Sequence, residues 1–373
     1  MQKRWVFYLL FLISSYLILI KLNLDSLVQP IRILITFIIA LESVVYLLKR
    51  QSRLITLPSY RTGLFAIYIV ITIFAFPMNW AFNMGSTVKY SCYLLVFLAA
   101  YNGFYIQSEK LFSKYFLFSL YGVSFFQLFT GDTEFINMVE RVSGLYYRHS
   151  SGMALILTIL IGHVLYKSRS NWKYLHLITI SYLLLKTGSR SGVIAAIFAW
   201  LFIEVFKRKD WKVFVLFLSL SIVSSYYLLD ILSRFSLFER FVYLIDNGSD
   251  ASTLNRLEYF KNATREMSVS LFGNGFGSFA VQYEELYGKR LGAHNNMLLF
   301  LIELGYLGVI LYCIHLLVLF LGIIKLNNLY LLFLFIAFYV GGSLNNNYYY
   351  PVGMIIFFIE LGKSLSNGER HIT

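Results

Sequence analysis

Residues 295–324 read NNMLLFLIELGYLGVILYCIHLLVLFLGII, and their solvent decides what kind of protein this is. The stretch holds one carboxylate, Glu303, and one histidine, His315, in an otherwise almost wholly apolar run. A helix that crosses a bilayer needs about 20 mostly apolar residues. This run is too long for one straight crossing. It predicts a short helix at the outer surface, a strong tilt, or a break at Gly305 or Gly308.

Eleven further apolar runs lie near 5–20, 31–48, 63–82, 87–106, 114–131, 150–166, 172–187, 191–206, 213–232, 329–344 and 350–364. The first is long enough to span and is followed by Lys21-Leu-Asn-Leu-Asp25 rather than a small-residue cleavage site, so it reads as a span and not as a cleaved signal peptide. Composition agrees. Of 373 residues 58% are hydrophobic and 14% charged, against about 25% charged in soluble domains. The expected fold is an all-α polytopic membrane protein of about twelve transmembrane helices. Cys92 and Cys313, the only cysteines, sit in apolar runs and can build neither a disulfide framework nor a multi-cysteine metal site.

The net charge of +13 reads as a topology signal and not as a nucleic-acid footprint. With Lys3 and Arg4 in the cytoplasm, 18 of the 32 Lys and Arg residues fall on the cytoplasmic side. The other side holds 7 in one long loop and 7 elsewhere. Both termini are therefore expected in the cytoplasm. No Pro/Gly-rich linker divides the chain and no inverted repeat is evident. Residues 1–373 read as a single transmembrane domain, with 233–293 inserted between the ninth and tenth spans as an extracytoplasmic cap. The cap balances 7 basic against 7 acidic residues. It carries turn signals at Asp246-Asn-Gly-Ser-Asp250 and Gly273-Asn-Gly-Phe-Gly277, and a helix-like amphipathic stretch from Ser252 to Met267.

Two other outer segments carry chemistry: 131–150, which contains Arg141, Arg148 and His149, and the tight turn Thr187-Gly-Ser-Arg190-Ser-Gly192. Arg190 reads in two ways, as an interfacial anchor that snorkels or as part of an anion site. The second reading joins its guanidinium to the N–H groups at the start of a helix. Arg256, Arg141 and Arg148 each read alone as surface charges. Together with Arg190 they place four outer-side arginines in three segments beside apolar spans. His294 opens the tenth span, and an imidazole titrates where a proton acceptor is useful near neutrality. His149 is its only rival on that side. Asn295 reads as a helix cap or a ligand, and Glu303 as a functional acid or a hydrogen-bond partner for a neighbouring helix. Gly305 and Gly308 allow close helix packing. Asp132-Thr-Glu134 has a metal-like spacing but no second acidic cluster, so no metal is expected. Gly273-x-Gly-x-Gly277 lacks the βαβ context of a nucleotide loop and reads as turns shaping the cap.

The Arg190 turn, the long loop, Leu271-Phe-Gly-Asn-Gly-Phe-Gly-Ser278 and Ala293-His-Asn-Asn followed by Gly305-x-x-Gly308 occur in that order. The combination resembles the bacterial O-antigen polymerase/ligase superfamily, most strongly over 140–310. The first five spans resemble it only in hydropathy. The resemblance implies a glycosyltransferase-C-like fold in the bacterial inner membrane and inverting, metal-independent, cofactor-free glycosyl transfer on the extracytoplasmic side. The donor it implies is a glycan on undecaprenyl pyrophosphate. It implies pyrophosphate contacts for Arg190 and Arg256, with a looser counterpart in Arg141, and the catalytic role for His294. Asn295, Arg148 and Glu303 would support them. Expected partners are that donor, a glycan acceptor, membrane lipid and a chain-length regulator protein, with no nucleic acid. Repeat-unit polymerase for O-antigen or capsular polysaccharide is the favoured activity. The alternatives are a ligase to lipid A-core and a non-enzymatic transporter or flippase of lipid-linked glycan.

Overall fold

The computed structural model describes residues 25–49, 92, 95–96, 98–100, 102, 133–136, 139–142, 150–168, 171–208, 261–262, 265–267, 269–275, 277–288, 295–345 and 351–370. Its elements in chain order are α1 (Asp25–Lys49), β1 (Thr133–Ile136), β2 (Val139–Val142), α2 (Ser150–Tyr166), α3 (Lys173–Lys186), α4 (Arg190–Arg208), α5 (Ser278–Tyr287), α6 (Asn296–Leu326), α7 (Leu329–Asn345) and α8 (Pro351–Arg370). The protein is mostly α-helical. The all-α expectation requires one amendment. β1 and β2 form an antiparallel hairpin in the segment read as an outer loop, with Glu134 in register with Arg141.

Helices α2, α3, α4, α6, α7 and α8 occupy the apolar runs of the sequence, with small shifts at their ends and a longer extension of α8. Two of them form the centre. α7 is buried on every side from Tyr330 to Phe338, and α2 from Ala154 to Val164. A helix that is apolar all round has no solvated face and belongs inside a bundle. α7 packs against α2, α4, α6 and α8, and α2 also packs against α3 and α4. The Phe333 ring covers Gly162 so closely that a Cβ there would collide with it. α3 buries Ile180, Leu183 and Leu184 and leaves Tyr174, Leu175 and Ile178 exposed.

Cross-helix contacts fix the directions. Tyr312 of α6 lies beside Tyr339 of α7 (6.3 Å between rings), and Phe320 beside Phe335 (5.8 Å), so these two helices run antiparallel. His163 near the end of α2 meets Tyr330 at the start of α7 at 5.6 Å. Lys167, just past α2, pairs with Glu360 of α8 at 2.7 Å, and Lys363 approaches the other oxygen at 3.7 Å. Asn328 Nδ2 donates to Ser364 Oγ at 2.8 Å, tying the α6–α7 turn to α8. One end of the bundle is thus held by a largely buried ionic cluster. The opposite end gathers the start of α2, the turn between α3 and α4, the end of α7 and the beginning of α6.

Among the described residues, one helical stretch is long and apolar enough to cross a membrane: Met297–Leu326. Only 18% of its apolar window is buried within the protein. The core helix of a soluble protein would be mostly covered. Such a length of bare apolar surface is at home against lipid.

Candidate functional site

The α3–α4 turn is built by its own backbone. Thr187 donates its N–H to Leu183 and Leu184, and Gly188 takes a left-handed φ of 61°, which a glycine adopts without a Cβ penalty. Thr187 Oγ1 donates to the Leu184 carbonyl at 2.6 Å and accepts the Ser189 N–H at 3.2 Å. Val193 then donates to the Ser189 carbonyl, the first full helical bond of α4. Thr187, Ser189 and Ser191 are buried, so this turn is packed inward rather than swinging in solvent. Arg190 is the first residue of α4. The first-turn N–H groups of a helix lack partners within it and carry the positive end of the dipole.

Gly192 fixes that turn onto α2. A Cβ at Gly192 would stand 2.6 Å from the Ala154 Cβ, and Thr158 Oγ1 lies 3.3 Å from the Gly192 carbonyl. The close approach sets the height of Arg190 against the start of α2.

The second component is the beginning of α6. Asn295 stands in an extended conformation, and its Oδ1 accepts the Leu298 N–H at 3.0 Å, so it is the N-cap. Its reading as a helix cap is thereby observed. α6 then breaks at Gly305 (φ 71°, ψ −172°), one of the breaks the run length allowed. The spacing of Gly305 and Gly308 predicts close packing against another helix. The partner of Gly305 is instead a loop: a Cβ there would collide with Gly273 N, Ser270 O and Leu271 O. A Cβ at Gly308 would meet the side chain of Leu304 on the same helix.

That loop supplies what the kink removes. Tyr306 and Leu307 donate their N–H groups to the Ser270 and Leu271 carbonyls (3.3 and 3.1 Å). In the other direction, Asn274 donates to the Ile302 carbonyl at 3.2 Å and Gly275 to the Glu303 carbonyl at 2.9 Å. Gly273, Gly275 and Gly277 all have positive φ. The Gly-rich segment is therefore turn-forming, and its turns clasp a broken helix.

Glu303 completes the clasp. It is buried, and its Oε1 accepts the N–H of Gly277, the N-cap of α5, at 2.9 Å. A carboxylate at a helix N-terminus is favoured by the dipole as well as by the bond. Glu303 thus holds the cap to α6 by a bond to the N-terminus of the neighbouring helix α5, the second of its two sequence readings. Below it, Phe279 and Tyr283 of α5 bury against Met267, Leu298, Leu299 and Ile302. Tyr287 donates its hydroxyl to Glu266 at 2.6 Å. The cap element α5, which no motif of the sequence marks, is bracketed by Gly277 and Gly288, both left-handed. Its aromatic spacing at 279, 283 and 287 is the signal that could have found it.

The fold therefore brings the Arg190 turn and the Asn295 start of α6 to the same end of the bundle. Arg141 lies on β2. His294, Arg256 and Arg148 lie outside the described residues, although His294 immediately precedes the Asn295 cap. No curated protein matches the chain. Residues 175–313, which run from α3 through the Arg190 turn and the cap into α6, match the family model described as O-Antigen ligase and so carry a domain of the O-antigen ligase/polymerase superfamily in a mostly α-helical, membrane-associated protein.

Proposed function

We propose that this chain is a multi-pass glycosyltransferase of the bacterial inner membrane, with about twelve spans and a glycosyltransferase-C-like arrangement, that polymerises glycan repeat units carried on undecaprenyl pyrophosphate. The observation that carries the reading is the family match over 175–313, because it encloses both the Arg190 turn and the His294-Asn295 start of α6. The Arg190 turn and the Asn295 cap lie at one end of the bundle, which agrees with it.

The chemistry needs few parts. The donor is a long hydrocarbon with a pyrophosphate head, so its head lies at the membrane surface beside apolar helices. Arg190 and Arg256, with Arg141 as a looser third, bind the pyrophosphate oxygens through planar guanidinium forks. Charge builds on the leaving pyrophosphate as the glycosidic bond breaks, and the arginines stabilise that state more than the ground state. His294, neutral, accepts the proton of the attacking acceptor hydroxyl. Direct attack inverts the anomeric centre, and the arginines do the work that a divalent ion does elsewhere. Asn295 holds the α6 start that follows His294, Glu303 holds the cap, and Arg148 adds positive charge.

A second reading has an observation of its own: the matched family is described by ligase activity. A ligase uses the same donor and passes the glycan to lipid A-core. The test is the purified protein in lipid vesicles with lipid-pyrophosphate repeat units. A ladder of chain lengths supports polymerisation. A single transfer, seen only when lipid A-core is added, supports the ligase, and lipid-linked glycan translocated with no new bond refutes both.

A further inference from the structure

The corner of the clasp carries two large apolar residues turned outward. Leu271 is 58% exposed and Phe272 is 62% exposed, the largest bare apolar side chains among the described residues of the cap. They are held there. Ser270 Oγ donates to the Gly273 carbonyl at 2.9 Å and closes the turn around them. The Ser270 and Leu271 carbonyls are bonded to Tyr306 and Leu307 of α6. The pair therefore stands at the level of Tyr306, just beyond the kink.

From that level a bare apolar stripe runs down α6: Tyr306, Ile310, Cys313, Leu317 and Leu321, at helical spacing on one face, all exposed. The helix beyond the kink, from Tyr306 to Leu326, rises about 30 Å at about 1.5 Å per residue, which is the thickness of a hydrocarbon core. Tyr306 at one end and the exposed Lys325 at the other are residues of the membrane interfaces. Leu271 and Phe272 continue the stripe at its outer end. Among the described residues of the cap, the exposed charges Lys261, Arg265, Glu266, Glu284 and Glu285 lie on other segments.

We propose that Leu271 and Phe272 form a wedge that inserts into the outer leaflet and anchors the cap at a fixed depth, with phospholipid acyl chains as its partner. Removing this surface from water drives the insertion. The hydrogen bonds to α6 convert it into a depth gauge for the cap, because the wedge cannot move without the kink. The inference rests on the membrane reading of α6, and the experiment separates the two.

Single-cysteine proteins in phospholipid nanodiscs carry an environment-sensitive fluorophore at one of three positions. These are F272C and E285C in a C92A/C313A background, and native Cys313 in C92A. Quenching is measured with doxyl-labelled phosphatidylcholine and with aqueous acrylamide. The label at 272 is expected to emit at shorter wavelength than the label at 285. Its quenching by doxyl lipid is expected to be several-fold stronger, and its quenching by acrylamide several-fold weaker. A label at 272 that behaves like the one at 285, or that is shielded from both quenchers, overturns the wedge. If the label on Cys313 also escapes the lipid quencher, the membrane reading of α6 fails with it. L271C repeats the measurement should F272C fold poorly.

Discussion

Replacing Gly305 with alanine tests the clasp at its tightest point. The residue sits at φ 71°, ψ −172°, a region open in practice only to glycine, and occupying it with a Cβ costs about 1–3 kcal/mol. The added methyl also runs into three backbone atoms, Gly273 N, Ser270 O and Leu271 O, none of which can rotate away. Two responses are open to the chain. It can bear the strain, or α6 can straighten and return Tyr306 and Leu307 to helical partners at Ile302 and Glu303. Straightening strips the loop of the four backbone bonds it makes to α6, each worth about 0.5–1.5 kcal/mol net. Opening relieves the strain at residue 305, so local opening of the clasp should become easier by about 1–3 kcal/mol. Hydrogen exchange in nanodiscs measures this directly: peptides covering 270–277 and 303–308 should exchange at least several-fold faster, while α7 stays protected. Unchanged exchange in both peptides refutes the reasoning.

Removing the Glu303 carboxylate should release Gly277. E303A weakens the clasp by about 1.5–3 kcal/mol, since the bond is made to a charged acceptor, whereas E303Q keeps an oxygen in place and loses less, as read by exchange at Gly277. Gly192→Val drives a side chain into Ala154. It should cost about 1–3 kcal/mol in thermal stability and reduce transfer activity by displacing the Arg190 turn, and adding A154G should restore part of both. E360A takes the buried carboxylate away from both Lys167 and Lys363 and should destabilise the protein by about 3–5 kcal/mol, measured by thermal unfolding in detergent.

The sequence made the helices legible for a simple reason. A helix buried in the bundle, or one that shows bare apolar surface, is apolar over most of its length, so α2, α3, α4, α6 and α7 announce themselves as runs with ends accurate to a residue or two. The break in α6 was legible as an excess of length, with Gly305 among its candidates. What the sequence hid is the clasp. Gly273 and Gly305 meet through backbone atoms across about thirty residues of chain, and no side-chain pattern records such a pairing. Each glycine was visible, one as a turn and the other as a packing site, but not their contact. The carboxylate of Glu303 marks it as a functional acid or as a hydrogen-bond partner for a neighbouring helix, but nothing in its own run names that partner, the Gly277 N–H at the start of α5. The β1–β2 hairpin escaped because its strands are four residues each and its connection, Asn137-Met138, has no glycine. The α5 helix escaped because it lies in a mixed-charge loop, where periodicity is weak beside the apolar runs around it.

The most direct measurement is the transfer rate of purified H294A, R190A and R256A proteins against the unaltered chain. Each is reconstituted in vesicles with lipid-pyrophosphate-linked repeat units and a chelator present, and folding is checked by thermal unfolding. Loss of the base should slow transfer by about 10²–10⁴-fold. Loss of either arginine should slow it comparably, with unfolding temperatures unchanged and the unaltered chain still active in chelator. An H294A protein that transfers glycan at the unaltered rate, or activity in the unaltered chain that vanishes with the chelator, contradicts the account.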